Sequence, residues 1–211
     1  MASQYVWRGF RYSEGVVVWP SVWIAARGLT ASLFFNYDRD SDPRWNEYDL
    51  ELTYDRSVGR LTLTGGYARY TYYDADSNGV TSEVIGRTDF SLGPGRAFTT
   101  HALDVEKYSG SYYLEAGYAF EREIGAISTI SADASIAFWS TFIDRYTREA
   151  ATNIVDGTVG PLMLNVSYLR KVAPGLAVRP SLSFVRIGDA TARRLLDPPG
   201  ATASLAIVVG R

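Results

Sequence analysis

The chain has 211 residues, 46% of them hydrophobic, a length for one domain and a composition that excludes a disordered chain. Its formal net charge of −2 leaves no basic field for nucleic acid, and the absence of cysteine excludes disulfides, thiolate metal sites and cysteine nucleophiles. Aromatic residues reach 14%, with 15 Tyr and 5 Trp, types that favour strands and membrane interfaces.

Taken in chain order, almost every segment repeats with a period of two, the signature of a strand with one apolar and one polar face. Strands are expected near 3–10, 16–27, 29–38, 47–55, 60–73, 82–91, 96–106, 111–120, 126–139, 161–171, 176–187 and 200–210, twelve in all. Because this pattern begins within a few residues of Met1, no signal peptide is visible, and Met1 and Ala2 are expected to be a start added to a mature chain. Residues 15–26 are the longest mostly apolar stretch; they are too short to cross a bilayer as a helix and contain Pro20. In 29–38, Leu29, Ala31, Leu33, Phe35 and Tyr37 share a face. In 47–55, Tyr48, Leu50, Leu52 and Tyr54 oppose Glu47, Asp49, Glu51, Thr53 and Asp55. Tyr112, Leu114, Ala116, Tyr118 and Phe120 repeat the scheme, as do Leu162, Leu164, Val166 and Tyr168.

The connections alternate in length. Short turns fall at Gly28, 56–59, 92–95, 121–125 and 172–175, and longer polar loops at 39–46, 74–81, 140–160 and 188–199; the links near 11–15 and 107–110 are shorter exceptions. Short turns at one end and long loops at the other characterise outer-membrane barrels, and an even strand number puts both termini at the short-turn, periplasmic end. Alternation alone does not say which face is wet, since a soluble barrel or sandwich turns its apolar face inward. Three features favour a membrane barrel. Charges stand in mid-strand on the polar face, at Glu51, Arg87, Asp104, Glu115, Asp133 and Arg179. Aromatics stand near strand ends on the apolar face, with Tyr37, Tyr48, Tyr112 and Phe138 at the loop end and Tyr54, Phe90, Tyr118, Phe120 and Tyr168 at the turn end. The mid-strand apolar residues are small to medium, such as Leu50, Leu114, Ala116, Ile130 and Leu164. The expected fold is therefore an all-β, transmembrane, antiparallel up-and-down barrel in a bacterial outer membrane.

The opening Tyr5-Val6-Trp7-Arg8-Gly9-Phe10, with Pro20-Ser21-Val22, Asn36-Tyr37-Asp38 and Glu47-Tyr48-Asp49-Leu50, resembles a family of poorly characterised outer-membrane proteins of Gram-negative bacteria. Members of that family begin with a similar Tyr-x-aromatic-Arg-Gly strand. The segments Leu103-Asp104-Val105-Glu106 and Gly110-Ser111-Tyr112-Tyr113-Leu114 also look like a later part of it. The family's last strand usually ends in an aromatic, whereas this chain ends Ile207-Val208-Val209-Gly210-Arg211. The resemblance implies the barrel and brings no established activity.

Carried through the strands, the parity places Arg8, Glu47, Asp49, Glu51, Glu83, Arg87, Asp89, Asp104, Glu106, Glu115, Asp133 and Arg179 on the lumen face, so one wall is acidic. Such a lumen either conducts, with a preference for cations, or is braced by Arg–carboxylate pairs around a narrow or closed pore. The expected function is passive passage of small solutes or ions without catalysis, with outer-membrane lipid as the standing partner; the alternative is a closed barrel that anchors loops or a partner complex. A serine hydrolase would need a base, and the only histidine, His101, has the parity of Leu103 and Val105 and so faces lipid. Carboxylate pairs such as Glu115 and Asp133 arise in any acidic lumen. Asp74, Asp76 and Asn78, before Gly79, match the opening of a calcium loop, but Ile85 stands where its last acid belongs. Asp38, Asp40 and Asp42 form a weaker set, with Pro43 where Gly is needed. Beyond this weak calcium loop no cofactor is expected. Loop 140–160, with Arg145, Arg148 and Glu149, is long enough for an external contact or an inward constriction.

Overall fold

The computed structural model describes residues 1–73, 78–140, 142–143, 150–151, 159–188, 190, 193 and 197–210. Its strands are β1 (Tyr5–Trp7), β2 (Phe10–Ser13), β3 (Val17–Val18), β4 (Ser21–Ala26), β5 (Leu29–Asp38), β6 (Trp45–Val58), β7 (Leu61–Tyr73), β8 (Asn78–Leu92), β9 (Gly95–Asp104), β10 (Tyr112–Ile124), β11 (Ser128–Trp139), β12 (Phe142–Ile143), β13 (Ala150–Ala151), β14 (Val159–Ala173), β15 (Leu176–Arg186) and β16 (Ala201–Val209). One antiparallel sheet runs from β16 through β15, β14, β11, β10, β9, β8, β7 and β6 to β5, and β3 and β4 both pair with β5. β3 and β4 are halves of one strand, interrupted at Pro20, which has no amide to give the ladder. β12 and β13 form a separate small ladder in the long loop.

Residues 1–3 join the two edges of this sheet. Ala2 N donates to Val17 O (2.9 Å) and Val17 N to Ala2 O (3.1 Å) on one side; on the other, Ser3 N donates to Ala203 O and Leu205 N to Met1 O, both at 2.9 Å. Counting β3 and β4 as one strand and residues 1–3 as another, the ring has twelve strands in up-and-down order. Leu29–Asp38 coincides with expectation; β6, β8 and β14 run longer, to 14 or 15 residues, because ladder pairing continues beyond the expected ends into the flanking turns and loops.

The first expected strand is different. Residues 3–10 do not form a wall strand: only residues 1–3 do, and the chain then turns inward as the hairpin β1–β2. Its turn, Arg8 and Gly9, has both φ angles positive (48° and 90°), as in the type I′ turn of a two-residue hairpin loop.

The faces settle by exposure. Leu50 and Leu52 are each 47% exposed and Leu164 43%, whereas Glu47 and Glu83, on the opposite face, are 5% and 6%. The apolar face is outward and the acidic face inward, the reverse of a soluble sandwich. Aromatics lie on the outer face at both ends: Trp45 packs on Tyr37 and Tyr48 on Tyr73 near the loops, and Tyr54, Phe90 and Tyr118 are exposed near the turns.

Candidate functional site: the lumen and its hairpin

The hairpin places four aromatics within eight residues, and they form one stack. Trp7 meets Phe10 edge-on (5.4 Å between centroids), Tyr5 stacks on Tyr12 (5.2 Å), and Trp7 also meets Tyr12 (6.1 Å). The stack crosses the lumen. At its base, near the β3/β16 seam, Tyr5 packs with Ala2 and Val17 and reaches Trp19 and Phe34, and Gln4 Nε2 donates to Ala201 O (2.8 Å). Farther in, Trp7 meets Tyr70 of β7 and Trp139 of β11, and Phe10 is buried with Ala102, Tyr113, Ala137, Trp139 and Ile187. At the tip, a Cβ on Gly9 would lie 2.4 Å from Cγ of Pro161 on β14, so the turn touches the wall with no space for a side chain.

Arg8, at that tip, holds the far side. Its Nη1 and Nη2 donate to Glu83 Oε1 and Oε2 of β8 at 2.7 and 2.6 Å, a bidentate pair. The guanidinium lies over the rings of Trp7 (4.1 Å) and Tyr113 (4.6 Å). Tyr70 Oη donates to Glu83 Oε2 (2.8 Å). Burial opposes the charge on Arg8, but the hydrogen bond and charge of Glu83 outweigh it and hold the guanidinium pKa above its ordinary value. Arg11, on β2, binds Asp197 in the connection before β16. The left-handed backbone of Arg8 is thus kept by the contacts its side chain makes.

Below this stack the inward face is polar and less buried. Arg87 donates to Asp89 (Nε to Oδ2, 2.8 Å), Arg96 pairs with the same carboxylate, and Arg87 stacks at 4.9 Å on Phe98. Gly117 leaves space for that ring, since a Cβ there would lie 2.7 Å from Phe98 Cζ. Asn165 Nδ2 donates to Asp133 Oδ2 (2.8 Å), and Tyr113 Oη donates to Glu115 Oε2 (2.7 Å). Along β6 the inward face passes from buried Glu47 through half-buried Asp49 and Glu51 to exposed Asp55, and β8 passes from buried Glu83 to half-buried Arg87 and Asp89. Asp49 Oδ1 is enclosed without a hydrogen-bond partner among the described residues.

Ten of the twelve expected lumen residues occupy inward positions on wall strands: Glu47, Asp49, Glu51, Glu83, Arg87, Asp89, Asp104, Glu115, Asp133 and Arg179. Asp104 is committed to local structure, accepting from Thr81 Oγ1, Glu106 N (3.0 Å) and Tyr108 N (2.9 Å), and Arg179 is exposed toward the turn end. Arg8 is in the lumen but on the hairpin. Glu106 is a correction: β9 ends at Asp104, and Glu106 lies exposed, accepting from Ser82 Oγ (2.6 Å) and pairing with Arg69 (3.5 Å), both at outward positions. Parity extended past the strand end misplaced it. His101 stands on the outward face with Tyr112 Oη (2.5 Å) and Thr99 Oγ1 (3.2 Å). Asp74 and Asp76, and the side chain of Asn78, lie outside the described residues, as do Arg145, Arg148 and Glu149. Asp38 Oδ1 accepts from Asp40 N (3.0 Å), and no cluster of three or more acids or histidines suited to a metal occurs among the described residues.

The packed residues Trp7, Phe10, Tyr70, Tyr113 and Trp139 escaped sequence reading. A signal for them existed: Tyr70, Tyr113 and Trp139 hold inward parity, where a wet lumen has no use for large rings, and all three lie at loop-side strand ends.

No protein-family model matches the chain, and no curated protein matches it. Among solved structures, it is similar to an anion-selective porin from Comamonas acidovorans, at 10% identity and a TM-score of 0.38, over 89% of this chain. The chain spans 57% of that porin's length.

Proposed function

We propose that this chain is an outer-membrane β-barrel whose lumen is held shut at the loop end by its own N-terminal hairpin, with both wall ends of the ring, and so the short turns, on the periplasmic side. The outward leucines and inward carboxylates support the membrane placement, because an aqueous protein would expose the acids and bury the leucines. The observation that carries the closed state is the hairpin itself, which spans the lumen and is bound to the far wall through Arg8 and Glu83. A closed barrel of this kind serves as an anchor for loops or for a partner, the alternative raised by the sequence.

The polar lumen beneath the hairpin favours a second reading, passage of small ions or solutes once the hairpin is displaced. Planar-bilayer recording separates the two. The closed reading expects no steady current from the native chain. It expects frequent openings when Arg8 is replaced by Ala together with Glu83→Gln, with cation preference from Glu47, Asp49 and Glu51. A steady current from the native chain would overturn the closed state.

A further inference from the structure

The wall of the barrel is incomplete in one place, and the gap has the width of one strand. Residues 1–3 pair with β3 on one side and β16 on the other, so the two edges are held one strand apart at the level of Ala2. Toward the turn end, nothing among the described residues pairs with the edges that continue from there: β16 pairs only with β15, and β4 only with β5. Met1 and Leu205 exchange backbone hydrogen bonds, Met1 N to Leu205 O and Leu205 N to Met1 O, both 2.9 Å. In an antiparallel ladder the next residues of β16 to aim their N–H and C=O the same way are Ile207 and Val209. On β4, the alternation fixed by pairing with β5 leaves Ser21, Trp23 and Ala25 aimed into the same gap.

Side-chain exposure reports the missing neighbour. Leu205, beside Met1, is 45% exposed, close to the wall leucines elsewhere; Ile207, two residues on and on the same face, is 70%, and Val209 is 71%. Across the gap Ile24 is 73% exposed. An open pair of strand edges is costly in any solvent and untenable in hydrocarbon, where each unpaired backbone group goes unsatisfied.

We propose that this slot is a strand-addition site, filled by an extended segment leading into Met1 in a longer form of the same polypeptide. Continuity selects that occupant: the backbone nitrogen of Met1 opens directly into the slot, already in register with both edges. Width excludes a second copy of the barrel, because a slot one strand wide admits a single strand and not the edge of another sheet. The register also specifies the pattern. Positions opposite Leu205, Ile207 and Val209 face outward and take apolar residues, and those opposite Ala206 and Val208 face the lumen and take small or polar ones. About four residues reach the level of Val209 at one ladder partner each. The inference rests on the strand order and not on the closed lumen, so either can fail without the other.

The test adds Val-Ser-Leu-Thr directly before Met1 and compares it with the unextended chain and with a Pro-Ser-Pro-Thr extension, all folded in detergent. Hydrogen exchange at Ile207, Val209, Trp23 and Ala25 is expected to slow by about tenfold or more with the first extension only, since proline supplies no ladder donor. The chain has no cysteine, which permits a second readout. A cysteine directly ahead of Met1, combined with Ala206→Cys, falls on a non-hydrogen-bonded pair, where Cβ atoms are close enough for a disulfide. Formation of that bond within one chain supports the proposal. Unchanged exchange, protection already present in the unextended chain, or a disulfide formed only between two chains would overturn it.

Discussion

The two halves of the lumen are built from the same strands by the same alternation, yet they differ in kind. At the loop end the inward face carries Tyr70, Ala102, Tyr113, Ala137 and Trp139, packed against Trp7 and Phe10 of the hairpin, with one ion pair, Arg8–Glu83, enclosed among the rings. At the turn end it carries Arg87, Asp89, Arg96, Asp133 and Asn165, polar groups that water reaches. The difference teaches that a barrel's inward face need not be uniformly polar. Where a covalently attached segment fills the interior, that face becomes a protein core, and its charges need fixed partners; where water fills it, charges are cheap.

The sharpest way to break this comparison is Glu83→Ala. It leaves the Arg8 charge enclosed without its carboxylate and is expected to destabilise by about 3–5 kcal/mol, read from urea unfolding in detergent or lipid. Next is Leu52→Arg, which puts a charge on the outward face and is expected to cost about 2–4 kcal/mol in a bilayer if that position is near its midplane. Little change in lipid-reconstituted protein would refute outward apolar packing. Gly9→Ala is expected to cost about 1–3 kcal/mol, because a Cβ meets both the left-handed backbone and Pro161; its signature is a more protease-sensitive hairpin with the wall intact. Smallest is Arg96→Ala, whose side chain is 46% exposed beside Asp89 and whose loss is expected to cost no more than about 0.5 kcal/mol. An effect as large as that of Glu83→Ala would mean that the two halves do not differ.

Much of this molecule was legible in the residues. Leu50, Leu52, Glu47 and Glu51 alone announce a two-faced strand, and the same parity puts ten charges at inward positions of wall strands, because a strand turns its side chains to opposite faces at every step. Glu106 was misplaced because parity holds only while the strand continues, and Asp104 ends it by accepting the amides of Glu106 and Tyr108. The opening Tyr5 to Phe10 segment misled for a related reason. Its alternation is that of a strand, but Tyr5–Trp7 and Phe10 belong to the two arms of a hairpin, and alternation does not say where a strand turns or what it pairs with. Arg8-Gly9 as a two-residue turn, with aromatics at 5, 7, 10 and 12, was the available hint of a hairpin.

What the sequence determined by itself is the local rule: strands, their two faces, their number and the alternation of short turns with long loops, all set by side-chain periodicity and turn residues within about ten positions of one another. What only the tertiary structure decided is which segments meet across the ring. Arg8 finds Glu83 from 75 residues away, Gly9 finds Pro161, and residues 1–3 bridge β3 and β16 while leaving the slot beneath them empty. Such contacts depend on closure of the whole sheet, which brings distant strands to fixed positions around a common axis, and no local pattern encodes that geometry.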